Sequence, residues 1–212
     1  NESVFIALHV WMGEDGTIQQ ILSQYGVAYN GSDALVSSLC MNKYQTGCVI
    51  NRINIPGVVS AMKYQFSLGK VDRMHMIEKK NFWKDIQLNL GSSKILLKPN
   101  TLGCSVGICV MSSFEDFSAF CHEMSILGND DDYLAETFYQ TDDIQVTQEN
   151  ELVHTVHEGW LDLTAVVLEK KEGYQAAYPS ITVSKADILS IEEKFQGGTG
   201  INLTPPPSSM LT

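Results

Sequence analysis

The sequence has no C-x-x-C pair, no apolar run of membrane-spanning length and few basic residues, and each shortage removes a class of function. Its five cysteines, Cys40, Cys48, Cys104, Cys109 and Cys121, are odd in number and scattered. Neither a disulfide scaffold nor a thiolate zinc site is expected from them; reduced thiols are. No stretch approaches the roughly 20 apolar residues of a membrane helix. No basic leader or small-residue cleavage site precedes the first apolar run. Lysine and arginine number 14 against 25 aspartates and glutamates, a formal net charge of −11. A field of that sign repels nucleic-acid backbones and acidic membranes, yet leaves room for a local basic pocket. Neither a nucleic acid nor a membrane is expected as a partner. No internal repeat is visible. The 212 residues, 44% hydrophobic and 18% charged, suffice for one or two small globular domains. Both ends read as interrupted, with a strand-like run at Val4–Leu8 and a proline-rich stop at residues 205–212. A fragment of a longer polypeptide is the expectation.

The stretch Lys98-Pro-Asn-Thr-Leu-Gly-Cys-Ser-Val-Gly107 is the most informative part of what is there. An apolar run, Lys94-Ile-Leu-Leu-Lys98, delivers a lysine into a short glycine-containing loop, and Val106–Val110 leads away. Glycine lets backbone N–H groups approach one anion closely, and the lysine adds a mobile positive charge. That is chemistry suited to a nucleoside triphosphate. Val4–Leu8 suits a central parallel strand, followed by the acidic turn Gly13-Glu-Asp-Gly16 and a helix with Ile18, Ile21, Leu22 and Tyr25 on one face, closed by Gly26. Ser32 or Asp33 caps a second helix, Ile55-Pro56 ends the next, and Val58–Tyr64 reads as a strand. Residues 66–90 are helical in part. Ser112-Ser-Phe-Glu115 reads as a capping box, and Tyr133–Phe138 and Trp160–Leu168 as strands. His154 and His157, at i, i+3 spacing, permit a metal on a helix, although exposed histidines fit as well.

Several blocks agree with one family. Val4-Phe-Ile-Ala-Leu-His9 with Gly13-Glu-Asp-Gly-Thr-Ile-Gln19, Cys40-Met-Asn-Lys43, Leu97-Lys-Pro99 with Gly103-Cys-Ser-Val-Gly107, Leu134-Ala-Glu136, Trp160-Leu-Asp-Leu-Thr164 and Glu192-Glu-Lys-Phe195 stand in one order. In that order and spacing the chain resembles the D-alanine–D-alanine ligases of the ATP-grasp superfamily, and the stretches His157-Glu-Gly-Trp-Leu-Asp162 and Glu193 to Pro207 look most like plant-type tandem members. The resemblance implies an α/β chain, α+β in its nucleotide-binding part. It implies an incomplete ATP-grasp fold preceded by the end of a Rossmann-like domain. Residues 1–31 would close the N-terminal domain, 32–134 form the central subdomain and 135–212 begin the C-terminal one, ending in the mobile loop.

The implied activity is ATP-dependent joining of two D-alanines through an acyl phosphate, for peptidoglycan synthesis. Lys43 and Lys98 fall at the ATP-phosphate lysines, and Gly103, Cys104, Ser105 and Gly107 at the loop over the phosphates. Glu136 falls where the adenine amino group is read, Thr137 beside it, and Asp162 where a carboxylate holds the ribose. His9 and Glu14 match positions lining the first D-alanine site. Glu14, Ser105 and Lys194 are the catalytic candidates, Lys194 in the mobile loop. No metal ligand is assigned within the chain; magnesium or manganese ligands are expected beyond residue 212, so the fragment alone is expected to be inactive. A homodimer or a tandem second ATP-grasp unit, and a cytoplasmic or plastid location, go with the resemblance.

Simpler readings stand beside these: a core histidine at His9, a surface helix lysine at Lys43, an edge-strand charge at Glu136 and a solvated charge at Lys194. The sequence also departs from the family pattern. Cys104 replaces a serine, Phe195 a tyrosine, Val10-Trp11-Met12 a small flexible loop, and Thr137 a common lysine. Val10, Cys104 and Phe195 favour an alternative, a non-catalytic ATP-grasp unit that binds nucleotide or stabilises a tandem partner half, whereas Lys43, Lys98, Glu136 and Lys194 favour the ligase. A ligase for other amino acids is a third option.

Overall fold

The computed structural model describes residues 3–9, 11–103, 105–128, 132–147, 149, 151–183 and 201–211. The chain divides into two units, Asn1–Phe138 and Tyr139–Thr212. In the first, β1 (Ser3–Val4) runs parallel to β2 (Ala28–Tyr29), with α1 (Trp11–Glu14) and α2 (Thr17–Gln24) between them in sequence. The central strand expected over Val4–Leu8 is not formed. Beyond Val4 the ladder is replaced by a side chain, since the Ile6 N–H donates to Asn30 Oδ1 at 2.6 Å. Phe5 and Leu8 are left 78% and 57% exposed. Gly26 ends the α2 turn at φ 67°, as expected.

Asp33 caps α3 (Ala34–Met41) by accepting from the Val36 N–H at 2.8 Å, and Asn42 caps α4 (Lys43–Ile53) by accepting from Gln45 N–H at 2.9 Å. Side-chain oxygens at these positions satisfy backbone donors that the first helical turn leaves open. The strand expected at Val58–Tyr64 lies later, as β3 (Tyr64–Ser67). Asn51 explains the shift: its side-chain amide brackets Ser60, accepting from its N–H and donating to its carbonyl, so that backbone is spent before a ladder can start.

There follow α5 (Leu68–Asp72), α6 (Met76–Leu90), β4 (Ile95–Pro99), β5 (Cys109–Met111), α7 (Phe114–Ile126) and β6 (Asp132–Thr137). Ser113, one residue later than expected, caps α7 by accepting from Asp116 N–H at 3.1 Å. The four strands form an antiparallel sheet in the order β3-β6-β4-β5. Period-two alternation splits β4: Ile95, Leu97 and Pro99 are buried, while Leu96 and Lys98 turn to the other face. The buried face packs on α6 and α7 through Trp83, Ile86, Phe117 and Cys121, with Trp83 and Phe117 stacked at 4.8 Å. Each such fully buried side chain stabilises by about 1.5–3 kcal/mol, and the aromatic contacts add roughly 0.5–1.5 kcal/mol. The sheet is thereby a rigid base for its opposite face.

In the second unit, β7 (Asp143–Val146) and β8 (Leu152–Thr155) make a hairpin. The strand expected over Trp160–Leu168 is broken into β9 (Leu163–Thr164) and β10 (Val167–Lys170). β10 pairs with β11 (Gly173–Ala176) whereas β9 pairs with β12 (Ser180–Thr182), so the partner changes between them. β12 also pairs with β13 (Asn202–Leu203), and Ile144, Ile181, Val183 and Met210 form a small core. No helix among the described residues is long and apolar enough to cross a membrane.

Candidate functional site

The face of the sheet turned away from α6 and α7 carries the charged groups. Leu96 is paired with Glu136 and Lys98 with Leu134, so Lys98 and Glu136 are diagonal neighbours on that face. Lys98 Nζ lies 2.6 Å from Glu136 Oε2. Across the sheet, Tyr64 is paired with Ala135, which sets Lys63 beside Glu136 at the start of β3. Lys63 Nζ lies 2.8 Å from Glu136 Oε1, an ion pair rather than a directed hydrogen bond. It also donates to Ser60 Oγ at 2.7 Å and the Ala61 carbonyl at 3.2 Å. The side chains of Lys63, Lys98 and Glu136 are 11%, 19% and 7% exposed. Room for the Lys63 stem comes from Gly47 on α4, where a Cβ would lie 2.8 Å from Lys63 Cε and 2.7 Å from Ser60 Oγ.

Lys43 enters from the start of α4. Its N–H donates to the Asn100 carbonyl at 3.0 Å, Tyr44 N–H donates to Asn100 Oδ1 at 3.0 Å, and Lys43 Nζ donates to the Leu102 carbonyl. The buried Asn100 thus fastens the helix to the segment following β4. The Lys43 pKa is lowered, first because burial penalises its charge, then because the Lys98 ammonium repels it; Glu136 opposes both. Lys43, Lys63 and Lys98 against Glu136 are three cations and one anion, an excess of two positive charges in a chain whose net charge is −11.

The glycine loop sits at the end of β4. Val106 N–H donates to the Gly103 carbonyl at 3.2 Å and Ile108 N–H to the Ser105 carbonyl at 3.4 Å, two successive tight turns. Ser105 has φ 59° and Gly107 φ 69°. The left-handed region costs a non-glycine residue on the order of 1 kcal/mol, so Ser105 is held there by the turns around it. At Gly107 a side chain is excluded twice, by its φ and because a Cβ would approach Tyr133 Oη to 2.8 Å and Pro99 Cγ to 3.0 Å. Cys104 lies outside the described residues.

Other candidates are more dispersed. Thr137 Oγ1 donates to the Leu90 carbonyl at 3.2 Å, a helix-to-strand tie. His9 Nδ1 and Glu14 Oε1 are 3.5 Å apart, with side chains 69% and 43% exposed. Asp162 is exposed, in the second unit. Lys194, Phe195 and Val10 lie outside the described residues. His154 and His157 are not on a helix: His154 is in β8 and His157 in the loop after it. His154 Nε2 lies 3.0 Å from Asp142 Oδ2, His157 Nε2 lies 2.9 Å from Asp143 Oδ2, and Asp142 Oδ1 accepts from His157 and Gly159 N–H, each at 2.9 Å. These donors, the His157 N–H first, hold the Asp142 carboxyl below its ordinary range against the effect of burial. Among the described residues no group of three or more His, Cys, Asp or Glu could hold a metal ion.

Lys63 and Asp142 are the groups that sequence reasoning missed. Lys63 had a usable signal: Tyr64 and Phe66 alternate with Lys63 and Gln65, so a strand buried on one face puts that lysine on the other.

Solved structures share this architecture over most of the chain. A D-alanine–D-alanine ligase from Coxiella burnetii aligns with TM-score 0.62 at 21% identity, covering 86% of this chain and 44% of that one. D-alanyl-alanine synthetase A from Vibrio cholerae aligns with TM-score 0.63 at 16% identity, over 92% and 49%. The fold is therefore the α/β architecture of the ATP-grasp ligases. Sequence comparison narrows the class. A D-alanine–D-alanine ligase of Buchnera aphidicola is 33% identical over 127 residues, 59% of this chain and 38% of that protein. One from Leptospira biflexa is 28% identical over 210 residues, 97% of this chain and 50% of that protein. These curated relatives are D-alanine–D-alanine ligases, and the chain is similar to them in sequence as well as in fold. It spans about half the length of the curated relatives it matches, or less. No family model matches it.

Proposed function

We propose that this chain supplies the nucleotide-holding part of an ATP-dependent ligase that joins two D-alanines. One observation carries the reading: Lys43 and Lys98 lie at the glycine loop, Lys63 lies on the same carboxylate as Lys98, and Glu136 is the anion that acts on all three. Burying excess charge of one sign is unfavourable, so the arrangement suits a ligand that brings negative charge, and a polyphosphate does so. The family relationship adds the substrate class.

In the proposed reaction a D-alanine carboxylate oxygen attacks the γ-phosphorus of ATP, ADP leaves, and an acyl phosphate forms. The amine of a second D-alanine then attacks the acyl carbon, loses a proton, and phosphate departs. Preorganised cations and N–H donors stabilise charge on the transferring oxygens, and Lys43, Lys98 and the loop from Gly103 to Gly107 fill that role. Glu136 accepts from the adenine amino group, Asp162 from the ribose, and Thr137 lies alongside. Glu14, oriented by His9, pairs with the first substrate's ammonium; Ser105 and Lys194 complete the set. Magnesium or manganese, when bound, would add positive charge at the transferring phosphoryl oxygens.

The test is phosphate release from ATP by the whole protein that carries this chain. Release that requires D-alanine, and yields D-alanyl-D-alanine, is the expected result. ATP binding without any such release would instead support the non-catalytic unit, and release driven by another amino acid would change the substrate.

A further inference from the structure

Lys63 stands apart from the other two cations. Lys43 is tied to the loop through carbonyl oxygens, and Lys98 rises from the strand that ends in the loop. Lys63 instead touches its own turn, through Ser60 and Ala61, and Glu136 Oε1. Its stem is packed against Gly47, and its side chain is the less exposed of the two lysines on the carboxylate. The two oxygens of Glu136 are thus divided, Oε1 to a fixed lysine and Oε2 to Lys98 at the mouth of the glycine loop.

We propose that Lys63 is a positioning residue that makes Lys98 available to a polyphosphate, an inference that rests on the nucleotide reading above. For Lys98 to turn from Oε2 to a phosphate oxygen, the 7%-exposed Glu136 must not be stranded as a lone buried anion. Lys63 stays on Oε1 and carries that countercharge. Oε2 is then released as an acceptor for a ligand N–H donor. Without Lys63, Lys98 is the cation left in direct contact with Glu136 and is retained by it, so phosphate and carboxylate compete for Lys98. A neutral side chain at 136 removes the competition, and with it any need for Lys63.

The experiment is calorimetric titration of ATP into the unaltered protein and the variants Lys63→Met, Lys63→Arg, Glu136→Gln and the double variant Lys63→Met/Glu136→Gln. Lys63→Met is expected to weaken ATP binding at least about tenfold, since it leaves a buried charge half-paired. Lys63→Arg is expected to stay within about threefold of the unaltered protein because it keeps the cation. In the Glu136→Gln background the Lys63→Met change is expected to cost less than about twofold, the non-additivity that marks two groups acting through one another. That comparison also serves should Lys63→Met fail to fold alone, because the double variant strands no carboxylate. An equal loss in both backgrounds would mean that Lys63 touches the nucleotide directly, and no loss in either would make it structural; each overturns the inference while ATP binding itself stands. Absence of ATP binding by the unaltered protein would overturn the nucleotide reading and this inference with it.

Discussion

Replacing Lys98 by alanine separates its two roles. In the free protein its ammonium is 2.6 Å from Glu136 Oε2, with the carboxylate side chain only 7% exposed. A buried charge stripped of its sole partner costs roughly 3–5 kcal/mol, but Lys63 remains on Oε1, so about 2 kcal/mol is expected. For a chain of this size that corresponds to a fall of about 4–8 °C in the unfolding midpoint. The effect on the ligand should be larger. Truncating one member of a buried, charge-assisted contact costs about 2–4 kcal/mol, so ATP affinity should fall roughly 30- to 700-fold. Urea denaturation and calorimetric titration measure the two quantities on the same preparation. An ATP affinity within about threefold of the unaltered protein would refute the assignment of Lys98 to the phosphates. A stability loss reaching that of a stranded charge would refute the sharing of Glu136 between two lysines.

Three further outcomes follow from the same geometry. Gly107→Ala must accept φ 69° and a Cβ 2.8 Å from Tyr133 Oη, so a loss of about 1–3 kcal/mol is expected by denaturant titration; an unchanged midpoint would contradict the close approach. Lys43 has a lowered pKa, from burial and then from Lys98, so part of it is neutral at alkaline pH. A polyanion favours its charged form, so ATP binding should take up protons there, weaken as pH rises through the depressed value, and lose that linkage in Lys43→Met; titration in buffers of different ionisation enthalpy reads this directly. The Asp142 pKa is depressed below 3.8, chiefly by the His157 N–H. Its contribution is complete above the ordinary carboxylate range and disappears as pH falls through the lower folded value, so Asp142→Asn should flatten the acid limb of the stability profile; an unchanged limb would remove Asp142 from its cause.

The candidate site is legible in the sequence where the signal is local. Lys98, Gly103 and Gly107 lie within one short run, and β4 and β6 are dense apolar segments that form as expected. Lys63 was hidden because its meaning depends on register: only the pairing of Tyr64 with Ala135 brings it to Glu136, 73 residues away in sequence. Side chains that compete with backbone ladders account for the differences at Val4–Leu8 and Val58–Tyr64. Asn30 takes the Ile6 N–H and Asn51 takes Ser60, and neither contact leaves a mark in hydrophobic periodicity. The i, i+3 spacing of His154 and His157 permits a helix, but their partners are Asp142 and Asp143 across a hairpin. A pattern of polar residues carries no period, so only the fold reveals which carboxylates they meet.

The most direct measurement is a titration of ATP into the protein at physiological and at raised salt, followed by calorimetry. Saturable one-to-one binding that weakens with salt and is abolished or sharply reduced in Lys98→Ala is the expected result, because an excess of two partly buried cations is the source of affinity. No binding at millimolar ATP, or binding indifferent to Lys98, would contradict it.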